Sequence, residues 1–190
     1  FIEQKIPVDA SLVITGHSLG GNLAYPMAGY LRKELSAEKR GNLQLITFGA
    51  PAAGNAAFVK DMEEKYPAAE RYTTDKDIAT VFPDMDKVEE IAHITGLDSV
   101  LQLSQLSIPG INKLKTSDLL DIAGEILKAT KVINETNRYV QSQRHLRLLT
   151  VDAAAVPEDT SYTAESLFNR AYQFHKVDRY AALLGVEPLE

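Results

Sequence analysis

The sequence predicts an α/β domain in which helices flank a parallel sheet. Short apolar runs rich in β-branched residues alternate with segments of helical periodicity, in the order strand, helix, strand, helix, strand. A glycine-rich turn joins the first of these strands to the first helix. Because neighbouring parallel strands need a crossover connection, this order indicates parallel pairing with helical crossovers.

The first strand is predicted at Ser11–Thr15, whose apolar, β-branched residues are typical of a strand buried on both faces. The turn follows at residues 16–21. Apolar residues at helical spacing then predict a helix with a core-facing stripe made of Ala24, Met27, Ala28, Leu31 and Leu35. Pro26 lies inside that helix and lacks the amide hydrogen of a helical bond, so we expect a kink or a delayed helix start.

The remaining elements follow the same alternation. Further strands are predicted at Leu43–Phe48, Arg71–Thr74 and Ile91–Thr95, and further helices at Ala56–Lys65 and Lys176–Leu184. Gly185 is the expected stop of the last helix.

Residues 97–144 differ in character from the rest of the chain. Their start is rich in leucine and isoleucine, and Ser117 is a candidate cap for an amphipathic helix with acidic residues in its first turn. We expect a helical insert before the last helix, within a single domain that spans residues 1–190.

Composition excludes several classes of function. The 190 residues suffice for one domain with a sizeable core, and no apolar run reaches the length of a membrane span. The net charge of −6 argues against a nucleic-acid partner, and the absence of cysteine excludes thiol chemistry. No signal peptide is recognisable, which leaves both secretion and a cytoplasmic location open.

The turn at residues 16–21 has the G-x-S-x-G pattern of a nucleophile elbow, in which Gly16 and Gly20 flank Ser18. A serine at a sharp strand-to-helix turn adopts a strained backbone and exposes its hydroxyl group, and we expect the flanking glycines to avoid side-chain clashes. The helix that follows favours developing negative charge at its N-terminus. Ser18 is therefore the candidate nucleophile, and the Leu19 amide is a candidate oxyanion donor.

A second segment, Thr47–Asn55 (TFGAPAAGN), follows a strand and resembles the T-F-G-x-P-x-x-G-N segment of class 3 lipases. Ala52 stands where that family usually has a basic residue. With the elbow, this segment makes the chain similar to class 3 lipases of the α/β-hydrolase superfamily. The resemblance implies a partial α/β-hydrolase fold and assigns the segment itself no direct chemistry.

The resemblance also suggests the catalytic acid. The stretch Asp77–Pro83 resembles the acid loop of the family, with Thr80 replacing its middle proline. Asp77 is the predicted acid, and Asp75 is the competing candidate.

Among the four histidines, His175 resembles the family's catalytic base because a tyrosine, Tyr180, follows five positions later at a helix start. His93 is the alternative base, although the family resemblance gives it a structural role. His17 is expected to pack beneath the serine, and His145 lies in a stretch without a family counterpart.

The function implied is hydrolysis of lipid esters through a Ser-Asp-His triad and an acyl-enzyme, with no metal and no organic cofactor. The substrate is a lipid or another ester, and transient contact with a lipid interface is compatible with the apolar insert. A phospholipase or an acyltransferase would use the same triad. From a different class, a catalytically silent lipase-like module would bind lipid or a partner through the insert's apolar face.

Class 3 lipases carry several strands and an oxyanion loop before the elbow strand, and this chain shows no counterpart of them. The first strand is then expected to present an unpaired apolar edge. We expect either the missing N-terminal half or a second copy of the chain to complete the sheet.

Overall fold

A computed structural model describes residues 2–84, 138–152 and 172–186, together with the single positions 87 and 90. In chain order, its elements are α1 (Ile2–Lys5), β1 (Leu12–His17), α2 (Leu19–Glu34), α3 (Ala37–Arg40), β2 (Leu43–Phe48), β3 (Gly54–Asn55), α4 (Ala56–Lys65), β4 (Glu70–Thr74), a 3-10 helix (Ile78–Val81), β5 (Tyr139–Val140), β6 (Leu146–Leu149) and α5 (Val177–Leu183).

The main sheet has the strand order β1-β2-β4-β6, and all three of its pairings are parallel. Leu12 lies opposite Leu43 and His17 lies opposite Phe48, so the carboxyl ends of β1 and β2 meet at one edge. The short strands β3 and β5 form a separate antiparallel pair. The α/β class predicted from the sequence is confirmed.

Helices cover both faces of this sheet. Side chains alternate along a strand, so Leu43 and Leu45 of β2 share one face while Phe48 lies on the other. The first face packs against α2 and α4 in a core whose buried members include Ala24, Tyr25, Ala28, Met62 and Tyr66. On the second face, Phe48 stacks on Tyr72 of β4 at 5.3 Å and contacts the ring of Tyr180 in α5.

Helix α2 departs from the sequence prediction in two ways. It begins directly at Leu19, so of the kink or delayed start expected from Pro26 the delayed start does not occur, and the kink stays a prediction. Met27 was expected in the core-facing stripe, but its side chain is 51% exposed. The core takes the smaller residues Ala24 and Ala28, which allow the helix to approach the sheet closely. An outer apolar stripe remains on α2, formed by Leu19, Leu23, Met27 and Tyr30.

Some predicted elements lie outside the described residues, namely the strand at Ile91–Thr95 and the insert from residue 97 to residue 137. Residues 138–144, the end of the predicted helical insert, form β5 and the approach to β6. Strand β6 was not predicted. None of the helices in the described ranges is long and apolar enough to cross a bilayer.

Candidate active site

Ser18 alone forms the turn between β1 and α2. Its backbone has φ 58° and ψ −128°, in the left-handed region that non-glycine residues rarely adopt. Such a conformation costs about 1–3 kcal/mol and persists only where the surroundings enforce it. Here the Ser18 amide donates to the Phe48 carbonyl at 2.9 Å, and the Ser18 carbonyl accepts from the Asn22 amide at 3.0 Å. The hydroxyl group is thereby held at the carboxyl edge of the sheet.

Two glycines allow this turn, and only one of them, Gly16, was expected from the motif. A Cβ atom at Gly16 would lie 2.4 Å from the carbonyl carbon of Gly20. A Cβ atom at Gly21 would lie 2.8 Å from the Ala50 Cβ and 2.9 Å from the Gly16 carbonyl oxygen. At Gly20 a Cβ atom would meet nothing within 4 Å. The steric requirement therefore lies at Gly16 and Gly21, which corrects the expectation for Gly20.

The structure brings Ser18, Asp77 and His175 together, although 98 positions separate the aspartate from the histidine. The Nε2 atom of His175 lies 2.6 Å from the Ser18 Oγ. Its Nδ1 atom lies 3.0 Å and 2.9 Å from the two carboxylate oxygens of Asp77. His175 ends a helical stretch that covers residues 172–175, just before α5.

Asp77 is fully buried, and hydrogen bonds to both carboxylate oxygens fix its side chain. Its Oδ1 accepts from the Ala79 amide at 2.9 Å, so the side chain also caps the 3-10 helix. Its Oδ2 accepts from the Tyr180 hydroxyl at 2.7 Å. That hydroxyl accepts in turn from the Thr74 amide at 3.3 Å. Burial, and secondarily the Asp77 carboxylate, raise the pKa of Tyr180, which keeps it a hydrogen-bond donor.

The competing acid, Asp75, has a different role. Its Oδ1 accepts from the Val151 amide at 2.9 Å, and its own amide donates to the Leu149 carbonyl at 3.2 Å. These bonds attach the end of β4 to the end of β6. The structure therefore places Asp77 against His175 and uses Asp75 to join two strands.

The other histidines occupy distinct positions. His145 is fully buried, and among the described residues neither ring nitrogen meets the geometry of a hydrogen bond, although the Tyr66 backbone lies close enough to raise the His145 pKa. Burial is the main reason why the pKa of His145 is lowered. His17 lies half-buried beside His175, with ring centroids 4.6 Å apart, and its packing beneath the serine stays a prediction. His93 lies outside the described residues. Within the described ranges, no group of three or more potential ligands is arranged to hold a metal ion.

Gly49, in the segment to which the sequence assigned no chemistry, lies directly against the triad. Its φ of 58° is in the left-handed region. A Cβ atom there would lie 3.1 Å from the Asp77 Oδ2 and 3.2 Å from the Nδ1 and Cε1 atoms of His175. The backbone of Gly49 therefore forms part of the wall that holds the acid and the base. The glycine of the T-F-G pattern was the available signal for this role.

Known proteins resemble this chain in sequence over part of its length and in fold. Residues 2–87 match the family model described as lipase (class 3). Residues 2–87 are therefore similar in sequence to class 3 lipases. The crystal structure of M37 lipase superposes with a TM-score of 0.59 and 22% sequence identity, covering 97% of this chain and 48% of that chain. This lipase-like chain thus spans about half the length of the M37 lipase chain, and the superposition shows the predicted partial α/β-hydrolase fold.

Proposed function

We propose that this lipase-like chain carries the nucleophile, acid and base of a carboxylic-ester hydrolase that acts on lipid esters. One observation carries the proposal: a continuous series of hydrogen bonds runs from the Ser18 hydroxyl through His175 to the buried Asp77 carboxylate. A nucleophile, a base within hydrogen-bond distance and a group that orients the base are the parts that acyl transfer through serine needs.

In the proposed mechanism, the Ser18 Oγ attacks the ester carbonyl carbon while His175 Nε2 takes the hydroxyl proton. Asp77 holds the Nδ1–H tautomer of His175 and stabilises the imidazolium that forms. The tetrahedral intermediate expels the alcohol, which receives its proton from His175, and an acyl-enzyme remains on Ser18. Water then attacks the acyl carbon with His175 as base, and release of the fatty acid restores the serine.

The oxyanion is stabilised in part by the start of α2. The Leu19 amide is in the first turn of this helix, where amides have no partner within the helix, and the helix dipole favours negative charge there. In the α/β-hydrolase fold a second donor comes from a loop that follows an earlier strand. Because β1 is the first strand that the structure describes, this second donor belongs to a further polypeptide segment in our proposal.

The apolar surface next to Ser18 supports an acyl substrate. Leu19 follows the nucleophile directly and is 65% exposed, and Leu23 lies one turn further along α2 with 57% exposed. Val177, two positions after His175, is 56% exposed. An aliphatic acyl chain gains free energy by covering these side chains.

We also propose that the further segment pairs with β1 and covers α2. In the described sheet β1 pairs on one side only, with β2. Val13 of β1 is 50% exposed, and the outer stripe of α2 defined above is exposed as well. Since about half of the M37 lipase chain lies outside the match, we favour a lipase-like segment over a second copy as the occupant.

Replacement of the nucleophile tests the proposed function. Ser18→Ala should abolish hydrolysis of a short-chain ester by the chain together with the proposed further segment. Ser11→Ala is the matched control because Ser11 is exposed and accepts only a long bond of 3.4 Å from Gln44. More than a few per cent of wild-type turnover in Ser18→Ala would show that Ser18 is not the nucleophile. Transfer of the acyl group to an added alcohol in preference to water would favour an acyltransferase.

A further inference from the structure

A second imidazole, that of His17, contacts the proposed base. The Nε2 atom of His17 lies 2.6 Å from the main-chain carbonyl oxygen of His175. The planes of the two rings are inclined by 37° with centroids 4.6 Å apart, and the His17 ring also meets the Tyr180 ring at 5.9 Å. His17 therefore contacts both the base and the tyrosine that holds the acid, although it precedes them by more than 150 residues in the sequence.

The hydrogen bond defines the proton position on His17. A carbonyl oxygen only accepts, so the Nε2 atom must carry the hydrogen. Burial, the largest cause, lowers the pKa of His17; His175 lowers it further, while the bond to His175 and the Asp77 carboxylate oppose the shift. His17 is then a neutral donor near neutral pH. It adds no second positive charge beside His175 when that ring accepts a proton.

The carbonyl of His175 needs a donor from elsewhere in the chain. His175 ends the helical residues 172–175, and Lys176 is extended with φ −61° and ψ 138°. The last carbonyls of a helix have no following amide within the helix, so they bond to water or to side chains. The bonds to Ser18 and Asp77 orient the His175 ring, and the bond from His17 fixes the main chain that carries this ring.

We propose that His17 is a positioning residue, whose Nε2–H holds the backbone of His175 so that the base stays in line with Ser18. This inference rests on the proposed function. His17 acts through His175 and does not contact the reacting atoms. Its loss should reduce kcat with little change in KM, because the base moves while the apolar surface that receives the substrate does not.

Two substitutions of His17 distinguish the effect of its hydrogen-bond donor from the effect of its planar ring. His17→Phe keeps a planar ring but removes the donor, whereas His17→Gln keeps an amide donor at a similar reach. We expect kcat for a short-chain ester to fall about tenfold or more in His17→Phe, since small misplacements of a catalytic group have effects of this size. In His17→Gln most of the activity should return. Equal kcat in wild type and His17→Phe, or equally low kcat in both variants, would overturn the inference.

If His17→Phe does not fold, His17→Met and His17→Gln provide the same test, because these two side chains have similar length and only glutamine donates. The rate of fluorophosphonate labelling of Ser18, measured well below the thermal midpoint of each variant, gives a second readout that a loss of stability alone does not change. Absence of labelling in the wild type would contradict the proposed function. Labelling of the wild type and His17→Met at the same rate would contradict only the role of His17.

Discussion

Gly49 offers a sharp test of the site because it lies against the triad without being part of it. In Gly49→Ala, an L-residue would have to adopt a φ of 58°, which costs about 1–2 kcal/mol. The new Cβ atom would also lie 3.1 Å from the Asp77 Oδ2 and 3.2 Å from the His175 Nδ1. These contacts are too short, so the acid and the base must each shift by a few tenths of an ångström.

The expected result has two parts. The free energy of unfolding should fall by about 1–3 kcal/mol, the range for strained backbone positions. The kcat should fall by about tenfold, because a displacement of 1 Å is associated with losses of about 10²-fold and the displacement here is smaller. Urea unfolding measures the first effect, and steady-state hydrolysis of a short-chain ester measures the second.

Gly29→Ala is the matched control. Gly29 lies in the interior of α2, and the nearest atom to its added Cβ would be the Met62 Sδ at an ordinary 3.9 Å. Alanine there should stabilise the helix by about 0.5–1 kcal/mol and leave kcat unchanged. If Gly49→Ala matched Gly29→Ala in both stability and kcat, the position assigned to Gly49 beside Asp77 and His175 would be wrong.

Four further predictions concern the base, the acid, the buried histidine and the sheet edge. His175→Ala should lower kcat by roughly 10⁴-fold or more without a comparable loss of stability. A loss of kcat below tenfold would favour His93, the alternative candidate, as the base. Tyr180→Phe should lower the unfolding free energy by about 1.5–3 kcal/mol in urea titrations, since it removes a bond to a buried carboxylate; an unchanged midpoint would show that this bond contributes little. Burial lowers the pKa of His145 below 6.5, so the unfolded state binds more protons and stability present above pH 6.5 is lost as the pH falls. His145→Gln should therefore flatten the fall of the urea midpoint as the pH is lowered below 6.5. His17 contributes a shift of the same sign, so part of the fall should remain; a curve of unchanged slope would contradict the prediction. The 190-residue chain alone should associate or precipitate and turn over esters poorly, because β1 pairs on one side only among the described strands; a soluble monomer of ordinary lipase activity in sedimentation and ester assays would refute the need for a further segment.

The local elements were predictable because their signals are local. Strand β2 and helix α4 have the predicted bounds, and Ser18 follows from the strand-turn-helix pattern around it. Strand β6 was missed because its four residues become a strand by pairing with β4, more than 70 positions earlier in the chain.

The other features of the site could not be predicted from local sequence patterns because they depend on contacts between residues far apart in the chain. The roles of Asp77 and His175 were predicted from the family resemblance, since no periodicity in the sequence connects residues 98 positions apart. The steric need for glycine at Gly21 and Gly49 depends on Ala50, Asp77 and His175, which approach these positions only in the folded chain. The contact of His17 with the His175 carbonyl depends on the same folding and had no local signal.

The proposed chemistry depends most directly on which residue reacts as the nucleophile. Treatment of the chain, together with the proposed further segment, with a fluorophosphonate, followed by proteolysis and mass spectrometry of the peptides, identifies that residue. We expect one phosphonyl group per chain, located on Ser18, and a sharply lower rate of labelling after His175→Ala. Labelling of a different residue, or no labelling of a protein that hydrolyses esters, would contradict a serine mechanism at this site.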